Sequence, residues 1–158
     1  MKFAESPLMP EAPVGKGLRK GDLKVTASAW AKRYAKWYCA NNPDASWDWC
    51  ETDHKQGALT WKTDLFKFAD MLIVHEGMHL IQVTGGSNGL ARVKKICGAI
   101  QPKEKNAEEQ AALRKHNARC WLASHGTIQI WDYKKRSRDK MIYKVERVIT
   151  HVTEDDLK

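Results

Sequence analysis

Hydrophobic residues recur at helical spacing in three stretches of the chain. The first covers about 27–40, with aromatic residues on one face and basic residues beside them, and Thr26 or Ser28 can act as its N-cap. The other two cover about 90–100 and 107–124. The stretch at 90–100 has an apolar face that can pack on a core, and the stretch at 107–124 is stopped by Gly126. The pattern therefore predicts three helices.

Shorter stretches favour β-strands. Residues 46–52 alternate between polar and apolar side chains at a period of two, and 58–62 can form a second strand. Near the end of the sequence, 127–133 and 141–150 have strand-like composition and are separated by basic residues. We therefore expect a small β-sheet whose last two strands are joined by a basic turn.

A long apolar run follows Thr63 or Asp64 and continues to about residue 83. It contains residues typical of helices and residues typical of strands, so its composition is ambiguous. The run has no Pro, and only Gly77 interrupts it, which makes it longer than a typical strand. Its length favours a buried helix. Together with the amphipathic helices and the small sheet, this predicts an α+β domain.

Composition divides the chain into three parts. Residues 1–24 are rich in Pro and Gly and lack periodicity, which indicates a flexible basic N-terminal arm. Residues 25–152 form a single predicted domain, and 153–158 an acidic, solvated tail. No apolar run approaches the ~20 residues of a membrane helix, and no secretory signal is visible. The 4 Cys are scattered without a CxxC pair, which favours reduced thiols. We therefore expect a cytoplasmic protein without membrane contact.

The charge balance points to a phosphate-rich partner. Lys and Arg number 27 against 19 Asp and Glu, which gives a net charge of +8 and a pI near 9.4. Such an excess is the electrostatic footprint of nucleic-acid binding. The basic residues between the two closing strands are the candidate DNA contacts: Lys134, Lys135, Arg136, Arg138 and Lys140.

The predicted buried helix contains the pattern HExxH, from His75 to His79. On a helix, His75 and His79 lie one turn apart on the same face, where two imidazoles can bind one tetrahedral Zn²⁺. Glu76 lies near the same face and can take a proton from a zinc-bound water. The motif therefore predicts a zinc site with Glu76 as the catalytic base.

Two segments carry a resemblance to a known family. The run 72–79, LIVHEGMH, and the run 88–98, NGLARVKKICG, follow each other across a Gly-bearing loop. This arrangement resembles the SprT-like zinc metallopeptidases. The resemblance implies a zincin-like helical domain and a Zn²⁺ cofactor bound by His75 and His79. It also implies catalysis by Glu76 and a protein substrate at or near DNA, and it puts Asn88 where the family has its third histidine ligand.

Other residues can complete such a site. Glu109 and His116 share one face of the helix predicted over 107–124, and either can serve as the third zinc ligand in place of Asn88. A further donor is needed to stabilise the oxyanion of the reaction. The candidates for that donor are Tyr133, Tyr143 and His125, and the sequence does not choose among them.

Three functions are compatible with these patterns. The first is a zinc metallopeptidase that hydrolyses peptide bonds of proteins at or near DNA. The second is a non-catalytic nucleic-acid-binding protein with a structural zinc site. The third is an inhibitor of a nucleic-acid enzyme built on a decayed peptidase scaffold. Glu76 favours the first, because a structural zinc site needs no base beside it.

Overall fold

A computed structural model of the 158-residue protein describes residues 26–86, 88–139 and 142–158, without the side chains of 61, 135–139 and 142–146. In this part of the chain, one helix is followed by five strands, two further helices and two closing strands. Their order is α1 (Ala27–Asn41), β1 (Ser46–Trp49), β2 (Thr52–Gln56), β3 (Leu59–Thr63), β4 (Met71–Val74), β5 (Met78–Gly85), α2 (Gly89–Ile96), α3 (Ala107–Ala123), β6 (Thr127–Asp139), β7 (Ile142–Val152) and a closing 3-10 turn (Asp155–Leu157).

The central sheet has five strands in the order β1-β4-β5-β6-β7. β5 and β6 run parallel and are connected through α2 and α3, whereas every other neighbouring pair is antiparallel. β2 and β3 form a separate two-stranded hairpin. The sheet is therefore mixed, with its parallel pair at the centre.

Helix α1 covers one face of the sheet. Its aromatic stripe packs on Ile81 and Val83 of β5 and on Trp131 and Tyr133 of β6. Thr26 caps its first turn by accepting a hydrogen bond from the Ala29 N–H at 3.2 Å. This helix and its cap agree with the helical pattern at 27–40.

Helices α2 and α3 cover the opposite face. Leu80 of β5 and the β6 residues Ile128 and Ile130 pack there against Ile96 and Ala118 of the two helices. Because side chains alternate along a strand, β5 sends Ile81 and Val83 to α1 and Leu80 to α2 and α3. The molecule therefore has three layers, with the sheet in the middle.

The predicted buried helix over residues 64–83 is wrong. This stretch forms β4 and β5, an antiparallel hairpin whose turn is His75–Gly77. Glu76 has φ 50 and Gly77 has φ 145, values that interrupt any helix. β5 is buried on both faces, and such a strand has the same continuous apolar sequence as a buried helix.

Several other expectations can be compared with the structure. The helix α3 agrees with the pattern at 107–124, and α2 is shorter than expected at its C-terminal end. The mixed α+β class is confirmed, but the described residues contain no zincin-like helix carrying the HExxH pattern. The C-terminal tail is not wholly solvated, since Leu157 is 2% exposed within the α2–α3 core. Among the described residues, no helix combines the length and apolarity needed to cross a bilayer.

Candidate metal centre

The HExxH residues occupy the β4–β5 turn and the start of β5. His75 Nδ1 lies 2.5 Å from the Tyr38 hydroxyl of α1. The Nε2 atom of His79 donates to the His75 carbonyl at 3.0 Å, and its Nδ1 lies 2.7 Å from the Thr127 hydroxyl. Burial also lowers the pKa of His79. Both ring nitrogens of His79 are thus bonded to protein, and neither is presented to a metal shared with His75.

The alternative third ligands lie on separate surfaces. Asn88 precedes α2 and donates to the Gly85 carbonyl at 2.7 Å. Glu109 is exposed in the first turn of α3, beside Asn106. His116 is exposed on the same helix, with its Nε2 3.5 Å from the Cys120 sulfur. Within the described residues, neither Glu109 nor His116 lies in a group of three His, Cys, Asp or Glu side chains that could hold a metal.

The predicted oxyanion donors are also apart from the motif. Tyr133 pairs with Gly85, whereas His79 pairs with Thr127 at the other end of β5. At ~3.3 Å per strand residue, Tyr133 and His79 are about 20 Å apart. His125 is exposed just after α3, and the side chain of Tyr143 lies outside the described part.

The basic segment forms a β-ribbon rather than a short turn. β6 continues to Asp139 and β7 begins at Ile142. In the ribbon the backbones of Lys135 and Arg136 pair with Val145 and Lys144. The half-buried Lys134 and the backbone of Arg138 belong to the same strand, and Lys140 lies outside the described residues. DNA binding by this segment stays a prediction.

An acidic cluster that the sequence patterns did not indicate lies beside the hairpin base. Glu51, Asp64 and Asp70 each bring a carboxylate oxygen within 4.8 Å of the other two. Glu51 separates β1 from β2, Asp64 directly follows β3, and Asp70 directly precedes β4. The sheet and the hairpin therefore bring together three residues that stand on separate connections.

Asp70 is held firmly by its neighbours. Its Oδ2 accepts the backbone N–H of Val83 at 2.6 Å and the side-chain Nε2 of Gln82 at 2.5 Å. Burial is the largest cause that raises the pKa of Asp70 from 3.8 to about 7; the charges of Asp64 and Glu51 add to it, whereas the Val83 N–H and Arg92 lower it. A cation would relieve both the burial cost and the repulsion among the three carboxylates.

Gln82 supplies a second polar group beside this cluster. Its side chain is 4% exposed, and its Oε1 atom has no hydrogen-bond partner although the amide Nε2 donates to Asp70. A buried carbonyl oxygen without a partner costs roughly 1–3 kcal/mol. This oxygen belongs to the amide group that contacts Asp70, so it is a candidate donor for a cation held by that carboxylate.

Basic side chains surround the cluster. The ammonium group of Lys62 lies 2.5 Å from Glu51 Oε1. Burial raises the pKa of Asp64, and the charges of Lys95 and Arg92 on α2 partly offset this increase. Burial in turn lowers the pKa of Lys95. These cations compensate part of the negative charge and also provide positive groups beside any metal-bound anion.

The donor set of this centre indicates the kind of ion that it can hold. Carboxylate and amide oxygens are the ligands of Mg²⁺, Mn²⁺ and Ca²⁺, whereas structural zinc sites use mainly nitrogen and sulfur. The Glu51–Asp64–Asp70 cluster and Gln82 together fit a hard divalent cation. The sequence held a signal for two of these residues, because Asp70 and Gln82 are polar interruptions in the apolar run 65–83.

Comparison with known proteins finds no match to this chain: no family model, no curated protein and no solved structure is significantly similar. The resemblance to SprT-like peptidases therefore gains no support from these comparisons.

Proposed function

We propose that this protein is a divalent-cation-dependent nuclease, which hydrolyses phosphodiester bonds with Mg²⁺ or Mn²⁺. The observation that carries the proposal is the Glu51–Asp64–Asp70 cluster, whose ligand oxygens lie within 4.8 Å of one another. The unpartnered Oε1 of the buried Gln82 beside Asp70 supports it independently.

The chemistry of phosphodiester hydrolysis suits these donors. Mg²⁺ is usually held by one or two carboxylates together with substrate phosphate oxygens, and it keeps part of its water shell. When bound, the ion polarises the phosphoryl group and lowers the pKa of a water. Glu51, Asp64 and Asp70 would hold the ion, while Lys95 and Arg92 would attract and orient the phosphate.

The charge of the molecule favours a polyanionic substrate. The chain has a net charge of +8, and the proposed centre is an acidic cluster within it. A polyphosphate is drawn to the basic surface, and the bound cation removes the repulsion between the phosphate and the carboxylates. Nucleic acid is therefore the substrate class that satisfies both features.

The zinc metallopeptidase remains an untested hypothesis. It depends on a helix that carries the HExxH residues, and these residues lie in the β4–β5 turn and at the start of β5. Zinc binding by His79 would require at least one of its two ring hydrogen bonds to break. An HExxH pattern outside a helix does not place the two imidazoles and the glutamate as that mechanism needs. The oxygen cluster supports phosphodiester chemistry better than the motif supports peptide hydrolysis.

One experiment separates the two activities. The purified protein is incubated with supercoiled plasmid in Mg²⁺, Mn²⁺, Zn²⁺ or EDTA, and with casein under the same conditions. We expect plasmid cleavage in Mg²⁺ or Mn²⁺ that Asp70→Asn abolishes and His79→Ala retains. Casein cleavage that depends on Zn²⁺ and is lost in His79→Ala would instead establish the peptidase. Absence of Mn²⁺ binding in calorimetry would overturn the proposed metal centre itself.

A further inference from the structure

Within the described part of the chain, three buried polar atoms without a hydrogen-bond partner belong to α1, β6 and β7. They are Trp30 Nε1, the Tyr133 hydroxyl oxygen and Arg147 Nη1. Trp30 is 8% exposed and Tyr133 is 4% exposed, and Arg147 as a whole is half-buried. Each of these atoms gives up its hydrogen bonds to water on folding and gains none in return, which destabilises the fold.

The fold brings the three side chains to the same place on the α1 side of the sheet. Tyr133 and Arg147 are direct partners in the β6–β7 pair, so their side chains are neighbours on one face. Gly85 of β5 pairs with Tyr133, and a Cβ atom on Gly85 would lie 3.6 Å from Ala27 Cβ. Trp30 follows Ala27 by one turn on the buried side of α1. The three unpartnered atoms therefore lie between the start of α1 and the sheet.

The guanidinium group of Arg147 is held by aromatic rings. Its Cζ lies 3.6 Å from the Tyr34 ring centroid and 4.5 Å from the Trp131 ring centroid. A guanidinium that rests on ring faces directs its N–H groups along its edge, where an oxyanion can accept them. Among the described residues, no carboxylate forms an ion pair with Arg147. This cation is thus held in place without a described anionic partner.

The surroundings favour a negative ligand. Burial raises the pKa of Tyr133, and the charge of Arg147 partly opposes this increase, so the hydroxyl keeps its proton and can donate it. The first turn of α1 contains no acidic residue, and the N-terminus of a helix attracts negative charge. The basic ribbon begins directly after Tyr133, and residues 134–147 contain seven basic residues against Asp139 and Glu146. Donors and positive charge therefore coincide at this end of the sheet.

We propose that Trp30, Tyr133 and Arg147 form a second binding site, which takes a phosphate group with three free oxygens. Such a group is inorganic phosphate or a phosphate monoester, which carries about two negative charges at neutral pH. Three donors on three elements match its three oxygens, whereas a carboxylate or a phosphodiester offers only two. The planar fork of an arginine is well suited to phosphate. The site uses none of the residues of the proposed metal centre.

Tyr133→Phe tests the site, because it removes the hydroxyl and leaves every charge in place. Calorimetry with inorganic phosphate in EDTA, at constant ionic strength, should show binding about tenfold weaker than in the parent, a loss of about 1.4 kcal/mol. The melting temperature of the phosphate-free protein should not fall, because the lost hydroxyl has no partner. A tyrosine with a purely structural role would give the opposite pair of results. Arg147→Lys keeps the charge without the fork and should also weaken binding about tenfold.

The matched control is Tyr38→Phe, on the same helix as Trp30. Its hydroxyl lies 2.5 Å from His75 Nδ1, so its removal should lower the melting temperature. Its affinity for phosphate should equal that of the parent. Acetate at the same ionic strength tests the number of oxygens, and we expect it to bind at least tenfold more weakly than phosphate, a difference of about 1.4 kcal/mol.

Two further ligand pairs identify the source of the phosphate group. Deoxyadenosine 5′-monophosphate is compared with deoxyadenosine, and a 5′-phosphorylated single-stranded oligonucleotide with the same strand lacking that phosphate. A gain from the 5′-phosphate that Tyr133→Phe removes would assign the end of a nucleic acid. Binding of the monophosphate without such a gain would assign a nucleotide, and binding of inorganic phosphate alone would assign the free ion. A parent that does not bind phosphate, equal binding of acetate, or unchanged binding in both Tyr133→Phe and Arg147→Lys would overturn the site.

Discussion

Gln82 and Asp70 are joined by a hydrogen bond of 2.5 Å from Gln82 Nε2 to Asp70 Oδ2. The bond links the middle of β5 to the residue that precedes β4, and the Val83 N–H donates to the same oxygen. It fixes one oxygen of the Asp70 carboxylate. The Gln82 Oε1 atom, in contrast, has no partner. The pair therefore combines a rigid carboxylate with an available carbonyl oxygen, which is an arrangement suited to a cation.

Asp70→Asn should stabilise the metal-free protein at neutral and alkaline pH while removing metal binding. Because burial raises the pKa of Asp70 from 3.8 to about 7, the folded protein keeps a proton that the unfolded chain loses. The free energy of unfolding therefore falls as pH rises between these values, by on the order of 4 kcal/mol in total. An amide avoids this loss, and its oxygen can still accept from Val83.

The measurement is urea denaturation in EDTA at pH 5 and pH 8. Asp70→Asn should be more stable than the parent at pH 8 by about one to a few kcal/mol, on the order expected for a buried carboxylate. Its free energy of unfolding should also change less between pH 5 and pH 8 than that of the parent. The exposed Asp48→Asn on β1 serves as the control and should behave like the parent. Equal pH dependence in the parent and Asp70→Asn would contradict the prediction.

Gln82→Glu should strengthen cation binding and weaken the metal-free fold. The substitution replaces the Nε2 donor with a carboxylate oxygen facing Asp70 Oδ2, so two acceptors meet in a buried site. A bound divalent ion removes that repulsion, and we expect a gain of about tenfold or more in Mn²⁺ affinity. Calorimetry and thermal melting with and without Mn²⁺ measure the two effects.

Gln129→Glu is the control for Gln82→Glu, since Gln129 is also buried but accepts a hydrogen bond from Trp131 Nε1. It should lose stability without any gain in metal affinity. If Gln82→Glu lowers the affinity for Mn²⁺, Gln82 does not face the cation.

The helices could be predicted from the sequence because their signals are local. α1 has an aromatic face over several turns, and the cap at Thr26 immediately precedes it. The two closing strands were also predicted, although β6 extends to Asp139, further into the basic segment than expected, and β7 ends at Val152. In these elements, the periodicity and the tertiary structure agree.

The central hairpin and the metal centre depend on information that is not local. β5 is apolar on both faces because α1 covers one and α2 with α3 cover the other, and the sequence around β5 does not reveal this cover. Glu51 and Asp64 lie on different connections, and only the pairing of β2 with β3 brings them together. No spacing rule in the sequence predicts such a contact.

DNA binding should depend on the basic ribbon in a manner independent of sequence. Replacing Lys134, Lys135 and Arg136 together with Gln should weaken binding to all duplexes alike, because phosphate contacts carry no base information. The slope of log affinity against log salt should fall in magnitude by about 0.9 for each phosphate that the variant no longer neutralises. Lys103→Gln with Lys105→Gln in the exposed α2–α3 connection is the control for lost charge, with two positive charges removed against three in the ribbon variant. A slope unchanged from the parent would exclude this ribbon as a phosphate-binding element.

Gly77→Ala tests the hairpin turn against the helix that the HExxH pattern predicts. In the turn, Gly77 has φ 145, a conformation that side-chain-bearing residues rarely adopt. The added methyl group would lie 3.6 Å from His79 Nε2, an ordinary contact, so the penalty arises from the backbone alone. We expect a destabilisation of about 1–3 kcal/mol. In a helix interior, the same substitution would stabilise the protein by about 1 kcal/mol.

The turn thus predicts that Gly77→Ala lowers the free energy of unfolding, and the helix predicts that it raises it. Chemical denaturation in EDTA measures this change. Gly89→Ala at the start of α2 is the control, because Gly89 has no positive φ and its added methyl group would find ordinary contacts near Asp132. The control should change stability by less than Gly77→Ala. A Gly77→Ala protein at least as stable as the parent would contradict the β4–β5 turn. That outcome would instead support a helix over His75, Glu76 and His79, which is the geometry that these residues need to act as a zinc site.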